Sequence, residues 1–518
     1  MSVVSPAASS SGKCIVYQIN TWVWLNTLTR QFGRPIDLSN VPDSILDELA
    51  RPGINMVWLM GIWQRSPFGR RNALKYKHEY RHVLPDLTDD DVIGSAYAVY
   101  DYRVDDHLGG RAALAALRQR LAQRGLKLML DFVPNHVAAD HRWTIEHPNW
   151  LIYGSAQDYA ARPNDFFRAA TLEGERYLAH GKDPNFPGWS DTVQINAFHP
   201  ELRHETIRIL SDIAEQCDGV RCDMAMLMFT DIFTSTWRGL AGERPTSEYW
   251  REVIPAVRAS HPGFLFVAEV YWEKEFEIIQ QGFDYAYDKR FYDRIIAGDV
   301  TQIRAHLLAH IDYQRHMMRF IENHDEPRAY HELGARRSVP AATLICTLPG
   351  ATLLHDGQLT GRTKKLPVQI KRQPDEAVHH DLEAYYTRLL RETQHPVYHE
   401  GSFFLFHVIS AGAGDFSHNN LLAYGWYIPG DGFRLIVVNL TGQRSFGRIK
   451  LDVWSWLDGQ TWRLYDVTDG EEYSRHGGEM TRDGLFIDLE PYESHVFRFG
   501  HVGEPITTQE LSSARRFQ

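Results

Sequence analysis

Four carboxylates stand where short apolar runs give way to polar loops: Asp131, Asp223, Glu269 and Asp325. Acids gathered on one rim repel one another, so a fold that keeps them together needs a purpose for them. Arg221 lies two residues before Asp223, and on a strand such residues share a face. A guanidinium there keeps the Asp223 carboxylate ionised and oriented. His136 and His324 flank the same segments and can donate hydrogen bonds to hydroxyl groups. An ionised carboxylate beside a carboxyl that holds a proton is equipment for cleaving a glycosidic bond. At about 5–5.5 Å apart, one attacks the anomeric carbon while the other protonates the leaving oxygen. Neighbouring strands lie about 4.8 Å apart, so adjacent strand ends supply such a separation. For any single acid, a helix cap or an ion pair with a rim arginine is an equally good account; the set with Arg221 favours chemistry.

The elements that must position these residues recur as eight apolar, β-rich runs separated by helix-length intervals. They are Cys14–Ile19, Ile54–Met60, Leu126–Val133, Gly219–Asp223, Phe264–Val270, Phe283–Tyr287, Arg319–Glu322 and Ala351–His355. Continuous apolar runs of this kind signal parallel strands buried on both faces. Between the second and third, Ala113–Gly125 keeps apolar residues at helical spacing and ends at a glycine. Eight such units match a (β/α)8 barrel, an α/β fold; a doubly wound open sheet gives a similar count. In a barrel the loops after the strands form the mouth, and each of the four acids is expected directly at a strand end.

Two intervals break the rhythm. Asn135 to Asp218, about 85 residues rich in Trp, Pro, Asn and Asp, reads as an inserted subdomain. Asn20 to Gly53 is also long. From about Ser402 the pattern changes to alternating segments with Gly/Asp turns, an antiparallel β-sandwich of about 100 residues. The expected organisation is a flexible leader (1–12), a catalytic barrel (13–401) with an insertion at 136–196, a sandwich (402–500) and a tail (501–518).

Composition narrows the function classes. The 518 residues carry 55 Lys+Arg against 66 Asp+Glu, a net charge of −11, which argues against nucleic acid as a partner. Cys14, Cys217, Cys222 and Cys346 form no CxxC pair, so neither a disulfide scaffold nor a cysteine zinc site is expected. No apolar signal core and no run of about 18 apolar residues is present, and a soluble cytoplasmic protein without membrane contact is the expectation. Aromatic residues make 12 % of the chain, most of them accounted for by core packing. Trp143, Trp150, Trp189 and Trp272 are expected in or beside the cleft, with Trp272, three residues after Glu269, as a sugar-stacking platform. The 25 histidines prompt a metal-dependent barrel hydrolase as an alternative, but an HxH on the first strand is missing; it reads YQIN.

Several segments resemble the α-amylase family of retaining glycoside hydrolases and transglycosylases. DFVPNH (Asp131–His136), GVRCD (Gly219–Asp223), VAEV (Val267–Val270) and ENHDEPR (Glu322–Arg328) are similar to the family's segments at strands three, four, five and seven. Their order is the family's own. YAVYDYRVDDHLGG (Tyr97–Gly110) and WSDTVQIN (Trp189–Asn196) add weaker likenesses. The resemblance implies Asp223 as nucleophile, Glu269 as general acid/base and Asp325 as the grip on the sugar's 2- and 3-hydroxyls. It implies that Tyr97 stacks on the sugar, that Arg221, His136 and His324 hold charge and hydroxyls, and that Asp131 and Asn135 brace the site. No cofactor is needed for the chemistry. Some members carry a structural calcium and others lack it; here Asn135 with Asp183 or Asp191 would supply oxygens.

Two departures stand out. Many starch-active members have Lys-His three and four residues after the nucleophile, where this chain has Met226 and Leu227. The loop Asp356–Arg372 is strongly basic, either a solvated surface loop or a site for an anionic group. The expected activity is hydrolysis of α-glucosidic bonds in α-glucan or malto-oligosaccharide. Transfer or isomerisation by the same machinery, and a silent carbohydrate-binding relative, are the alternatives.

Overall fold

The structure, a computed structural model, describes residues 13–501 apart from 173, 430 and 431. The expected leader and all but the first residue of the expected tail lie outside the described residues. Eight parallel strands close into a barrel. They are β1 (Ile15–Asn20), β2 (Met56–Met60), β3 (Lys127–Phe132), β4 (Gly219–Cys222), β5 (Leu265–Ala268), β6 (Tyr285–Tyr287), β7 (Met317–Arg319) and β8 (Ala351–His355). Each pairs with its sequence neighbours, and β1 pairs with β8 to complete the ring.

Strand alternation decides what faces the barrel interior. Val16, Met56, Trp58, Met60, Met129 and Val267 form one buried cluster, while Ile15, Val57, Leu59, Leu128, Leu130, Val220 and Phe266 pack outward under the helices. The same parity turns Asp131 and Arg221 inward. They are cross-strand partners, and Val267 sits opposite Arg221 on the other side. One residue beyond the last paired rung, Asp223 and Glu269 stand level with each other. Their backbone N–H groups continue the ladder to Phe132 and Cys222 at 2.8 and 3.0 Å.

Between β3 and β4, His136–Ala138 pairs antiparallel with Thr192–Gln194, and Tyr153–Gly154, Phe166–Thr171 and Gly174–Ala179 form a three-stranded sheet. Helix Pro200–Gln216 then leads back to the barrel. The interval after β1 holds two helices, Thr21–Phe32 and Asp43–Leu49. The helix read at Ala113–Gly125 runs Gly110–Ala122. Beyond Ser402, a six-stranded and a three-stranded antiparallel sheet enclose a second apolar core containing Trp454, Leu464 and Phe497. No helix among the described residues is long and apolar enough to cross a membrane.

One strand differs from the reading of the sequence. β7 ends at Arg319, three residues before Glu322. Glu322 is fully buried and accepts the Ala329 N–H at 2.7 Å while pairing with Arg328. It thereby closes a loop of its own, so Asp325 rides on that loop and does not directly follow a strand.

The barrel and the C-terminal sheets are joined by a buried ion pair network. Glu392, at the end of helix His380–Glu392, accepts Arg434 at 2.5 Å, Arg498 at 2.6 Å and the Tyr398 hydroxyl at 3.2 Å. Replacing Glu392 with Ala takes the shared carboxylate from two guanidinium groups, and removing one partner of a buried pair costs about 3–5 kcal/mol. The expected outcome is a lower thermal denaturation midpoint by calorimetry. An unchanged midpoint would show that the network adds nothing to stability.

Candidate active site

At the mouth of the barrel, one guanidinium organises the acids. Arg221, fully buried, has Nη1 at 2.6 Å from Asp223 Oδ1 and Nη2 at 2.8 Å from Glu269 Oε2. Asp131 and Asp325 lie 3.8 and 3.9 Å from the same two nitrogens. Three aromatic rings surround the cation: Trp58, Tyr97 and Tyr287, with centroids 5.4, 5.3 and 5.7 Å from its central carbon. Ring faces attract a guanidinium and keep water from it. The structure therefore brings Asp131, Arg221, Asp223, Glu269 and Asp325 together around one point.

His324 ties the remaining predicted residues to that point. Its Nε2 lies 2.9 Å from Asp325 Oδ2 and 2.7 Å from the Tyr97 hydroxyl, and its Nδ1 is 2.6 Å from Gln18 Nε2. The Gln18 amide thus faces Nδ1, and Nε2 faces Asp325 and Tyr97. His136 is buried, hydrogen-bonds the backbone of Tyr97, and packs against Trp189 with ring centroids 5.0 Å apart. Asp131 accepts the Gly61 N–H at 3.2 Å, and its own carbonyl accepts Trp63 Nε1 at 2.8 Å. Gly61 has φ 76°, and a side chain there would meet the Arg65 guanidinium at 2.8 Å, so the residue is fixed as glycine.

Electrostatics sort the acids. Burial pushes Glu269 up, and the neighbouring Asp223 and Asp325 add to this against the pull of Arg221, leaving it at about 7. Burial also raises Asp223 and Asp131, with Arg221 opposing in both. At Asp325 desolvation is outweighed by His324, which is bonded to it, and by Arg221, so this carboxyl drops to about 2. Burial lowers His136 to about 4 and keeps that imidazole neutral at pH 7.

Other predicted residues lie elsewhere. Trp143 and Trp150 are 4 % and 9 % exposed and belong to the core, packed edge-to-face 5.4 Å apart, so they do not line the cleft. Trp272 is 40 % exposed, next to Tyr271, whose hydroxyl donates to Glu269 Oε1 at 2.8 Å. Met226 and Leu227 are buried in a 3-10 turn. Much of the basic loop's charge is paired: Arg362 faces Glu376, Arg372 holds Asp86 and Asp91 at 2.8 and 2.9 Å, and Lys365 donates to the backbone carbonyl of Asp325.

Five site residues were not read from the sequence: Gln18, Trp58, Met224, Tyr271 and Tyr287. Gln18 carried a signal, as a lone amide inside the apolar run IVYQIN. Trp58 and Tyr287 were legible only as core aromatics. Nothing in the sequence marks Met224, whose backbone N–H donates to Glu269 Oε2 at 2.6 Å.

Asn135, Asp183 and Asp191 do not fit a calcium ion as placed. The Asn135 amide oxygen accepts Gln194 Nε2 at 3.0 Å, and Asp183 Oδ1 accepts the N–H groups of Asn185 and Phe186 at 2.6 and 3.0 Å. Hard Ca2+ needs about 6–8 oxygens free to point at it.

The family model described as alpha amylase, catalytic domain, matches residues 43–392. Alpha-amylase 3 of Dictyoglomus thermophilum is 22 % identical over 358 residues, covering 65 % of this chain and 62 % of that protein. Alpha-amylase MalA of Haloarcula japonica is 28 % identical over 287 residues, covering 52 % of this chain and 38 % of its own. The match thus spans less than two thirds of either relative. Among solved structures, the noncanonic maltogenic alpha-amylase AmyB from Thermotoga neapolitana aligns with a TM-score of 0.66 at 18 % identity, covering 94 % of this chain and 98 % of that one. At that identity the likeness speaks to the fold.

Dialysis against EDTA is expected to leave the thermal denaturation midpoint unchanged. A drop that added calcium restores would show that the loops around Asn135 rearrange to hold an ion.

Proposed function

Because the chain belongs to the α-amylase family, we propose that it hydrolyses α-glucosidic bonds in α-glucan or malto-oligosaccharide with retention of configuration. The observation that carries this reading is the pair Asp223 and Glu269 held on the two terminal nitrogens of one guanidinium. Two carboxylates held by one guanidinium support the close spacing of retaining enzymes, roughly 5–5.5 Å, over the wider gap that inverting enzymes leave for water. Asp223 attacks the anomeric carbon as Glu269 gives its proton to the leaving oxygen. Water, deprotonated by Glu269, then releases the covalent glycosyl-enzyme.

Asp325, kept ionised by His324, grips the sugar's hydroxyls, and these hydrogen bonds strengthen as positive charge develops on the ring. Tyr97 and Trp272 offer aromatic surface to the sugar, and His136 offers a neutral imidazole. Met226 and Leu227, being buried and apolar, give the leaving-group side no hydrogen-bonding side chains at that turn. That favours short chains over deep engagement of a polymer. Four cysteines without a disulfide support a cytoplasmic setting.

Two outcomes follow. Asp223→Asn and Glu269→Gln are each expected to lower turnover of maltoheptaose by roughly 10³-fold or more without lowering the denaturation midpoint. NMR should show the first product with the α configuration; a β anomer would overturn double displacement, and transfer products would redirect the second step from water to sugar. The acid role also fixes the sign of the pH dependence. Glu269 must be protonated to donate, so kcat/KM falls as pH rises through its value of about 7. A profile flat from pH 5 to 9 would remove Glu269 from that role.

A further inference from the structure

One cation and two hydrogen-bond donors hold Glu269, and they differ in what they can do when the carboxyl gains a proton. Oε2 lies 2.8 Å from Arg221 Nη2 and accepts the Met224 N–H at 2.6 Å. Oε1 accepts the Tyr271 hydroxyl at 2.8 Å. A guanidinium and a peptide N–H can only donate, whereas a phenol both donates and accepts. A proton on Oε2 would face a cation and a peptide N–H that already donates to that oxygen. A proton on Oε1 meets an oxygen that can rotate its own hydrogen away and accept.

The chain on both sides is bent to keep this arrangement. Trp272 and Glu273 have φ of 62° and 61°, two consecutive non-glycine residues in the left-handed region. The turn sends Trp272 out to solvent and leaves Tyr271 half-buried against Glu269, while Glu273 is anchored to Arg290 at 2.5 Å. Across the site Met224 is left-handed as well, φ 42°, which aims its N–H at Oε2. Backbone strain of this kind persists where the surroundings over-determine it, and it collects at working sites.

Resting on the reading of Glu269 as general acid, we infer that its transferable proton sits on Oε1 and that Tyr271 is the positioning residue that holds it there until transfer. The phenol accepts from the carboxylic acid and donates to the carboxylate. The step balances within the site: the Oε1–H bond breaks as the proton passes to the leaving oxygen, and the Tyr271 O–H turns to stabilise the charge left on Oε1. Donation to a charged acceptor is the stronger of the two hydrogen bonds. Tyr271 therefore lowers the pKa of Glu269 relative to the same site without it. The other ionisable groups facing Glu269 are Arg221, Asp223, Asp325 with its partner His324, and Tyr287. None of them is altered by a change at 271.

Tyr271→Phe keeps the ring and removes only the hydroxyl. Wild type and variant are compared on maltoheptaose, whose leaving sugar needs a proton, and on 4-nitrophenyl α-maltoside, whose nitrophenolate does not. The expected result is a loss in kcat of roughly 10- to 100-fold on maltoheptaose and a much smaller one for nitrophenolate release. The basic limb of kcat/KM should move up by roughly half a pH unit to one unit. Equal losses on both substrates with an unmoved limb would make Tyr271 a packing residue and overturn the inference. So would wild-type behaviour of the variant on both. A wild-type chain inactive on both substrates overturns the underlying reading, and with it this one.

Discussion

The site depends on a single buried cation. Arg221 is enclosed by three aromatic rings and faces four carboxylates, two in contact and two just beyond. Taking one guanidinium out of water costs several kcal/mol, and taking acids out of water beside it costs more. The arrangement stands because each charge lowers the cost of the other. One positive charge cannot neutralise four negative ones, and a proton on one of the acids reduces the surplus. The barrel makes this geometry accessible: strand parity turns Arg221 and Asp131 inward on one rung, and the next inward positions, Asp223 and Glu269, fall at the rim.

A second layer decides how Asp325 is held. Its loop is closed from behind by Glu322, Arg328 and His355, all buried, with Arg328 also donating to the Asp356 carbonyl at 2.8 Å. That network ties the loop after β7 to the loop after β8. Lys365 then reaches across to the backbone carbonyl of Asp325. The positive charge that makes the 356–372 segment conspicuous in the sequence is thus largely engaged in holding the mouth together. Arg372, fastened to Asp86 and Asp91, extends the same bracing to the segment before Tyr97.

How far the sequence could be read follows from which interactions are local. The eight strands were legible because each is a continuous apolar run, and Asp131, Asp223 and Glu269 because they interrupt or end one. Arg221 was legible from its two-residue offset. Asp325 was found by its motif but misplaced, because a buried Glu322 in an apolar context reads as strand until its partners Ala329 and Arg328 are known. Trp143 and Trp150 looked like cleft residues because aromatic rings serve cores and sugars equally, and only packing tells them apart. The contacts of Met224 and Tyr271 with Glu269 were out of reach. They depend on left-handed backbone at residues 224, 272 and 273, none of which is a glycine that would have signalled it.

The environments of the acids, taken together, leave little freedom in assigning their roles. Asp325 at about 2 is ionised at any working pH and can grip but not donate a proton. Glu269 at about 7 can hold a proton and release it near neutrality. Asp223 has Arg221 at 2.6 Å, its closest charged neighbour, and that contact favours the anionic form a nucleophile needs. Exchanging the roles of Asp223 and Glu269 would require the proton to sit on the carboxyl nearer the cation, with no hydroxyl beside it to receive that proton's hydrogen bond. The Tyr271 hydroxyl stands on the Glu269 side alone. Environments that push neighbouring carboxyl groups apart are what divide acid from nucleophile; here the clear separation is between Asp325, held low by one imidazole, and Glu269, raised by burial.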